Sequence, residues 1–303
     1  MSDQRIAVLV PCLNEGHTVG DVVAGFQASL PSSTIYVYDN GSTDSTIERA
    51  LEAGAVVRVE TSPGKGSVVR RMFSDVEADI YVMADGDGTY DPADAPRLLK
   101  QLRSENLDMV VGSRRNSGDF GRTGHEFGNQ MFNRLYRWLF GAGFTDIFSG
   151  YRVFSQRFVR SFPAVSTGFE IETEMSVHAS QLRLPVDEIE VGYRARHEGS
   201  ESKLRTVADG WRILRTMVIL LKDNRPFALF GSLAAVSFAA AVGLGVPLLV
   251  SFAQTGLVER LPTAVLATGL VLVGLVEVTL GLVLESLTRS RIEVKRLAYL
   301  KSP

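Results

Sequence analysis

The last quarter of the chain limits the fold more than any other feature. From Pro226 to Val258 there is no charged residue, and a second apolar run, Leu261 to Leu284, contains one, Glu277. A helix the length of that second run reaches about 36 Å at ~1.5 Å per residue, against a hydrocarbon core of about 30 Å. Both runs are therefore expected to be transmembrane helices, and the short link around Val258-Glu259-Arg260 makes them a hairpin. Lys222 and Arg225 precede it, Arg289, Arg291, Lys295, Arg296 and Lys301 follow it, and the link holds only Arg260. That bias places both flanks, and the polar part of the chain, on the cytoplasmic side. Glu277 is a functional candidate, because a carboxylate in hydrocarbon is costly; protonation or pairing between subunits are the alternatives.

Composition narrows the remainder. With 32 basic and 34 acidic residues, net charge −2, the chain is not a general nucleic-acid binder. The single cysteine, Cys12, excludes an internal disulfide framework and a cysteine-built zinc site. Arg5 is followed by only Ile6-Ala7-Val8-Leu9-Val10 before Pro11, too short a run for a signal peptide.

Residues 1–112 alternate apolar runs with amphipathic stretches. Strands are expected at Ile6–Val10, Thr34–Tyr38, Ala55–Val59, Ile80–Ala84 and Met109–Val111, and helices near 18–30, 43–53, 66–78 and 92–104. This alternation predicts an α/β fold with a mainly parallel sheet, which binds ligands beyond the carboxyl ends of its strands. Pro11, Asn14 and Glu15 follow the first strand, Asp39-Asn40-Gly41-Ser42 the second, and Asp85-Gly86-Asp87 the fourth. Two carboxylates one residue apart repel unless a cation sits between them, and oxygen ligands favour a hard ion such as Mg²⁺ or Mn²⁺ that also binds substrate phosphates. Asp and Gly also build solvated turns, so residues 85–87 carry both readings. Asp39 ends an apolar strand and is less easily explained as a turn. Ser42 and Asp44 could simply cap the next helix. Thr89 and Tyr90 stand where a calcium-binding EF-hand loop needs other residues, and no dinucleotide or P-loop glycine pattern follows any strand.

Beyond residue 112 the pattern is less regular. Arg114 and Arg115 end the fifth strand, Gly124 to Phe140 has helical character, and Asp146 lies in a turn running to Arg152. Glu170, Glu172 and Glu174 open a helix, where acidic residues suit the dipole. Arg194, Arg196 and Lys203 share a Gly/Ser-containing loop that could clamp an anion or simply face solvent. Between 204 and 222, apolar residues at Leu204, Val207, Trp211, Leu214, Val218 and Leu221 form one helical face opposite Arg205, Arg212, Arg215 and Lys222. That is the pattern of a helix on an anionic membrane surface, or of an ordinary core-facing helix.

Six motifs in order then resemble one family. Val10-Pro11-Cys12-Leu13-Asn14-Glu15, Tyr38-Asp39-Asn40-Gly41-Ser42-Thr43-Asp44, Gly64-Lys65-Gly66, Asp85-Gly86-Asp87, Gly112-Ser113-Arg114, and Asp146 with Ser149-Gly150-Tyr151-Arg152 are joined by Ser202-Lys203-Leu204. Together they resemble inverting family 2 glycosyltransferases of the GT-A fold, near dolichyl-phosphate mannose synthase and the bacterial polyprenyl-phosphate glycosyltransferases. The resemblance runs from residue 5 to about 215, and the hairpin is similar to that of the bacterial branch. It implies a Rossmann-type nucleotide-sugar-binding domain over 1–203, an interfacial helix over 204–225, two transmembrane helices over 226–287 and a basic cytoplasmic tail over 288–303. An integral protein of a bacterial inner membrane is implied, with both termini cytoplasmic.

The same resemblance implies the site. Pro11, Asn14, Glu15 and Asp39 would hold the nucleotide, and Lys65 would join the donor site. Asp85 and Asp87 would bind Mg²⁺ or Mn²⁺, with Asp87 the more direct ligand. Arg114, Arg196 and Lys203 would meet phosphates, and Asp146 would sit at the reacting centre. Thr89 departs from the Gln or His of relatives, which puts a third metal contact in question. The donor would be a UDP- or GDP-sugar and the acceptor a polyprenyl phosphate among membrane lipids; a homo-oligomer is compatible. Two alternatives remain. A processive polysaccharide synthase would show Gln-x-x-Arg-Trp, whereas Arg134 precedes Arg137-Trp138 here, and a non-catalytic membrane adaptor would not need the carboxylates.

Overall fold

The computed structural model describes residues 4–114, 144–168, 170–194, 218–219, 221–258 and 260–302. Seven strands, β1 (Ile6–Cys12), β2 (Thr34–Asp39), β3 (Val56–Val59), β4 (Ile80–Met83), β5 (Met109–Arg114), β6 (Arg152–Ser155) and β7 (Val186–Val191), form one sheet in the order β3-β2-β1-β4-β6-β5-β7. All described pairings are parallel except those of β6, which runs antiparallel between β4 and β5. Helices α1 (Val19–Ser29), α2 (Thr46–Glu52), α3 (Lys65–Asp75), α4 (Ala95–Ser104), α5 (Gln156–Ser161) and α6 (Ile171–Leu182) connect or follow the strands. The five strands and four helices expected before residue 112 are present, with shifted ends.

Fully apolar strands buried on both faces suit a parallel sheet. β1 is buried along its whole length, and Val8, Val10, Val82, Val110 and Val153 join one cluster with Val22, Val23 and Phe26 of α1. In α4, buried Ala95, Leu98, Leu99 and Leu102 recur at the 3–4 spacing of an amphipathic helix. The strand order reverses on either side of β1, between β2 and β4, which is where open α/β sheets leave a crevice.

The antiparallel β6 is not expected from the sequence, because Arg152-Val153-Phe154-Ser155 is polar at both ends and follows a turn-like stretch, unlike the continuous apolar run of β4. Its effect is to bring residues 146–151 to the edge where the parallel strands end. Arg152, fully buried at the start of β6, secures that approach: it donates to the carbonyls of Ser149 at 2.9 Å and Ile147 at 2.8 Å and to Ser176 Oγ at 2.9 Å. A buried guanidinium is tolerable only with partners of this kind.

The chain divides into two compact units, Met1–Arg205 with Val294–Pro303, and Thr206–Glu293. The second contains α7 (Pro226–Thr255) and most of α8 (Leu261–Lys301), a hairpin of two helices long and apolar enough to cross a membrane. On α8, Ala267, Gly274, Gly281 and Thr288 are buried at seven-residue intervals; on α7, Ala234 and Ala241 repeat that spacing. Small residues at this interval allow close helix packing: Phe238 lies against Gly274, and Phe227 and Phe230 lie against Gly281. Glu277 accepts a hydrogen bond from Ser237 Oγ at 2.9 Å within this hairpin. Residues 288–301 continue α8 as helix. The helix expected at 124–140, Arg115, the loop carrying Arg196 and Lys203, and nearly all of the 204–222 amphipathic stretch lie outside the described residues.

Candidate active site

The tips of β1 and β2 are sewn together. Asp39, at the end of β2 and almost fully buried, accepts from the N–H groups of Gly41 and Ser42, both at 3.0 Å, through Oδ2. Its Oδ1 has no hydrogen-bond partner among the described residues. Asn14 adopts φ 56°, and its N–H donates to Ser42 Oγ at 2.8 Å while its Oδ1 accepts from Thr43 N at 2.8 Å. Asp44 Oδ2 accepts from Gly16 N at 2.9 Å, and its Oδ1 accepts from Thr46 N at 3.0 Å. The N-cap position of α2 is Ser45, so the capping expected of Ser42 is not found; its hydroxyl instead joins the Asp44 carboxylate in linking the two strand tips. Pro11 is buried in β1, and the Glu15 carbonyl starts α1 by accepting from Val19 N at 2.9 Å.

Beyond β4, Asp85 and Asp87 are held differently. Asp87 Oδ1 accepts from Thr89 N at 3.1 Å and Thr89 Oγ1 at 2.6 Å, and Thr89 is 1% exposed. Thr89 thus turns inward to orient a carboxylate. Asp85 Oδ1 pairs with Lys65 Nζ, which also meets Glu172 Oε1 at 2.5 Å. Burial works against the Lys65 charge, but Asp85 and Glu172 outweigh it and lift the ammonium above its ordinary pKa. Burial, with Asp85 repulsion added, pushes the Glu172 carboxyl up despite Lys65. Glycines make this approach possible. Gly64 has φ 108°, and a Cβ on Gly64 or Gly66 would strike the carbonyl of Thr167 or Ser166. Gly150 lies flat against the Asp85 carboxylate, where a side chain would collide.

Across the edge, Arg114 ends β5 and grips Asp146. Its Nε donates to Oδ2 and its Nη2 to Oδ1, both at 2.7 Å, a bidentate pair. Burial alone would raise the Asp146 carboxyl, but the Arg114 hydrogen bonds and charge hold it below the usual range. Glu188 of β7 accepts from Thr145 N at 2.7 Å and Asp146 N at 2.9 Å. Tyr90 braces the same turn, its hydroxyl accepting from Gly150 N at 3.0 Å.

Pro11, Asn14, Glu15, Asp39, Lys65, Asp85, Asp87, Arg114 and Asp146 all lie at the carboxyl edge or on the connections leaving it; Arg196 and Lys203 lie outside the described residues. Two expectations shift. Lys65, expected in the donor site, is engaged with Asp85 and Glu172, and Arg114, expected to meet phosphates, is engaged with Asp146. Glu172 is a buried partner of Lys65, which the helix-dipole reading of 170–174 could not distinguish from its neighbours. For a metal, Asp85 and Asp87 offer hard carboxylate oxygens one residue apart, a set that suits Mg²⁺ or Mn²⁺. No group of three or more His, Cys, Asp or Glu gathers among the described residues.

The family model for glycosyl transferase family 2 matches residues 7–161. Glycosyltransferase AglJ of Haloferax volcanii is 36% identical over 252 residues, covering 82% of this chain and 81% of the relative. The undecaprenyl-phosphate mannosyltransferase of Micrococcus luteus is 26% identical over 218 residues, 66% of this chain and 87% of the relative. Among solved structures, glucosyl-3-phosphoglycerate synthase of Mycobacterium tuberculosis, in complex with Mn²⁺, UDP-glucose and phosphoglyceric acid, superposes with TM-score 0.59 at 24% identity, covering 74% of this chain and 80% of that one. The expected GT-A type of fold is thereby found.

Proposed function

The chain belongs to glycosyl transferase family 2, and on that premise we propose that it transfers a hexose-type sugar, with inversion, from a nucleoside-diphosphate sugar to a polyprenyl phosphate at the cytoplasmic face of a membrane. The observation that carries the proposal is the gathering of Asp39, Asp85, Asp87 and the Arg114–Asp146 pair along one sheet edge. The two membrane-length helices and the likeness to an undecaprenyl-phosphate mannosyltransferase support the lipid acceptor.

In this reading Asp39 receives a donor N–H of the base through Oδ1, and the Asn14–Ser42 link keeps that pocket in shape. Asp85 and Asp87 are the residues that would hold a divalent ion; such an ion, when bound, would neutralise charge developing on the diphosphate leaving group. Lys65 fixes Asp85, and Thr89 fixes Asp87. A phosphate oxygen of the acceptor bonds to the anomeric carbon as the bond from that carbon to the diphosphate oxygen breaks on the opposite side. The acceptor phosphate has a second pKa near 6 and is largely a dianion at pH 7, so no strong base is required. Asp146, kept ionised by Arg114, therefore orients sugar or acceptor, while Arg114 adds positive charge near the phosphates.

The test is a panel of UDP- and GDP-sugars with radiolabelled polyprenyl phosphate and the full-length protein, with Mn²⁺, Mg²⁺ or chelator. A single-sugar lipid product that disappears on chelation is expected. Asp87→Ala should abolish transfer, and Asp146→Asn should leave measurable activity. No lipid product with any donor overturns the reading, and a polymer product would favour a processive synthase. If Asp146→Asn is the more severe change in folded protein, the ranking of the two carboxylates is wrong.

A further inference from the structure

Glu188 is a surface-strand acid that no motif of the family resemblance includes. It lies opposite Val111 in the register of β7 with β5, three residues before the Arg114–Val191 pair at the edge. Its two oxygens divide between successive backbone amides of another segment: Oε2 accepts from Thr145 N at 2.7 Å, and Oε1 from Asp146 N at 2.9 Å. The side chain of Asp146 then meets Arg114 through both of its oxygens.

We propose that Glu188 is a positioning residue of the transfer site, acting through the backbone of Thr145 and Asp146 to hold the Asp146 carboxylate against Arg114. The inference rests on the role given to Asp146 above. The physical argument is geometric. The 144–151 segment crosses the sheet edge without strand pairing of its own before β6, so its amides need partners from elsewhere. A carboxylate can accept from two N–H groups at once, one on each oxygen, and charge assistance makes such bonds about twice as strong as neutral ones. Arg152 secures the same turn from the other end, through the carbonyls of Ile147 and Ser149. The turn is thus clamped by an anion on its donors and a cation on its acceptors. Between the two clamps the Asp146 side chain is turned toward Arg114.

A displacement of about 1 Å at a reacting group can cost on the order of 100-fold in rate. In full-length protein, Glu188→Ala is expected to lower kcat by about 10- to 100-fold and to leave nucleotide affinity within about twofold, because Asp39, Asp85 and Asp87 are held by other groups. Glu188→Gln keeps one acceptor and presents an NH₂ to the second amide, so its loss should be intermediate. The double variant Glu188→Ala/Asp146→Asn should be no slower than Asp146→Asn alone, since both act through one carboxylate. Hydrogen exchange should show loss of protection in peptides covering 144–148 in Glu188→Ala, with the neighbouring β5 unchanged. Unchanged protection at 144–148, or multiplicative losses in the double variant, would overturn the assignment. The exchange measurement requires no turnover. A wild type that makes no lipid product but loses 144–148 protection on Glu188→Ala would therefore count against the acceptor reading and leave the clamp standing.

Discussion

At the scale of single residues, Thr89 and His178 show how a side chain's worth depends on what it faces. The Thr89 hydroxyl donates inward to Asp87. Thr89→Val keeps the shape and removes the donor, and Thr89→Ser restores it. On the precedent that groups orienting a metal ligand are worth about 10- to 100-fold, Thr89→Val should raise the Mn²⁺ concentration needed for half-maximal transfer by about 10-fold. Thr89→Ser should stay near wild type; equal titrations for all three proteins would remove Thr89 from the site. His178 is fully buried in α6, edge-on to Phe158 and Phe162 and bonded through Nε2 to Ser161 Oγ at 2.9 Å. Burial, with the Lys295 charge added, depresses its pKa to about 3. Unfolded, it would titrate near 6.5, so between pH 6.5 and 3 the unfolded chain binds the extra proton. Stability from this group is complete above pH 6.5 and falls with acidification, by at most about 1.4 kcal/mol per pH unit. Chemical denaturation from pH 7 to 5 should show a shallower acid loss in His178→Gln than in wild type.

At the scale of elements, the end of α8 belongs to the globular unit. Tyr299 OH donates to Asp108 Oδ2 at 2.7 Å, Arg157 lies 5.5 Å over the Tyr299 ring, and Lys295 Nζ donates to Gln181 Oε1 at 3.1 Å. Asp108 is fully buried and also accepts from Ser155 Oγ at 2.6 Å. Tyr299→Phe should therefore cost about 1–2 kcal/mol, seen as a lowered melting temperature of the globular unit with the hairpin unaffected. From sequence, 288–303 offered only charge; nothing in its composition announced a docking partner far away along the chain. The first five strands and the four helices between them were readable because each is written in a local apolar run or period. β6 is polar at both ends, α5 is only six residues long, and β7 alternates weakly. The site divides along the same line: Asp39, Asp85 and Asp87 follow readable strands, whereas Glu172 and Glu188 acquire meaning only from the segments that fold onto them.

At the scale of the whole molecule, the proposed acceptor follows from the apolar hairpin. Removing residues 223–293 while retaining Val294–Pro303 through a flexible linker should spare nucleotide-sugar hydrolysis and sharply reduce turnover on long-chain polyprenyl phosphate. Unchanged long-chain turnover would undercut the membrane's part in the reaction. Cutting everything after residue 222 would be a poorer test, because it also removes Tyr299 and Lys295 from the globular unit. By itself the sequence determined the α/β class, the membrane-length hairpin and the carboxylates at the strand ends. Each of those is written in a local period or in a residue's place beside one. Only tertiary structure decided that Lys65 is shared by Asp85 and Glu172, that Arg114 is engaged by Asp146, and that Glu188 holds the Asp146 backbone. These are contacts between residues 20 to 107 positions apart, and a pairing over such separations is set by how the sheet brings strand ends together, which no local pattern encodes.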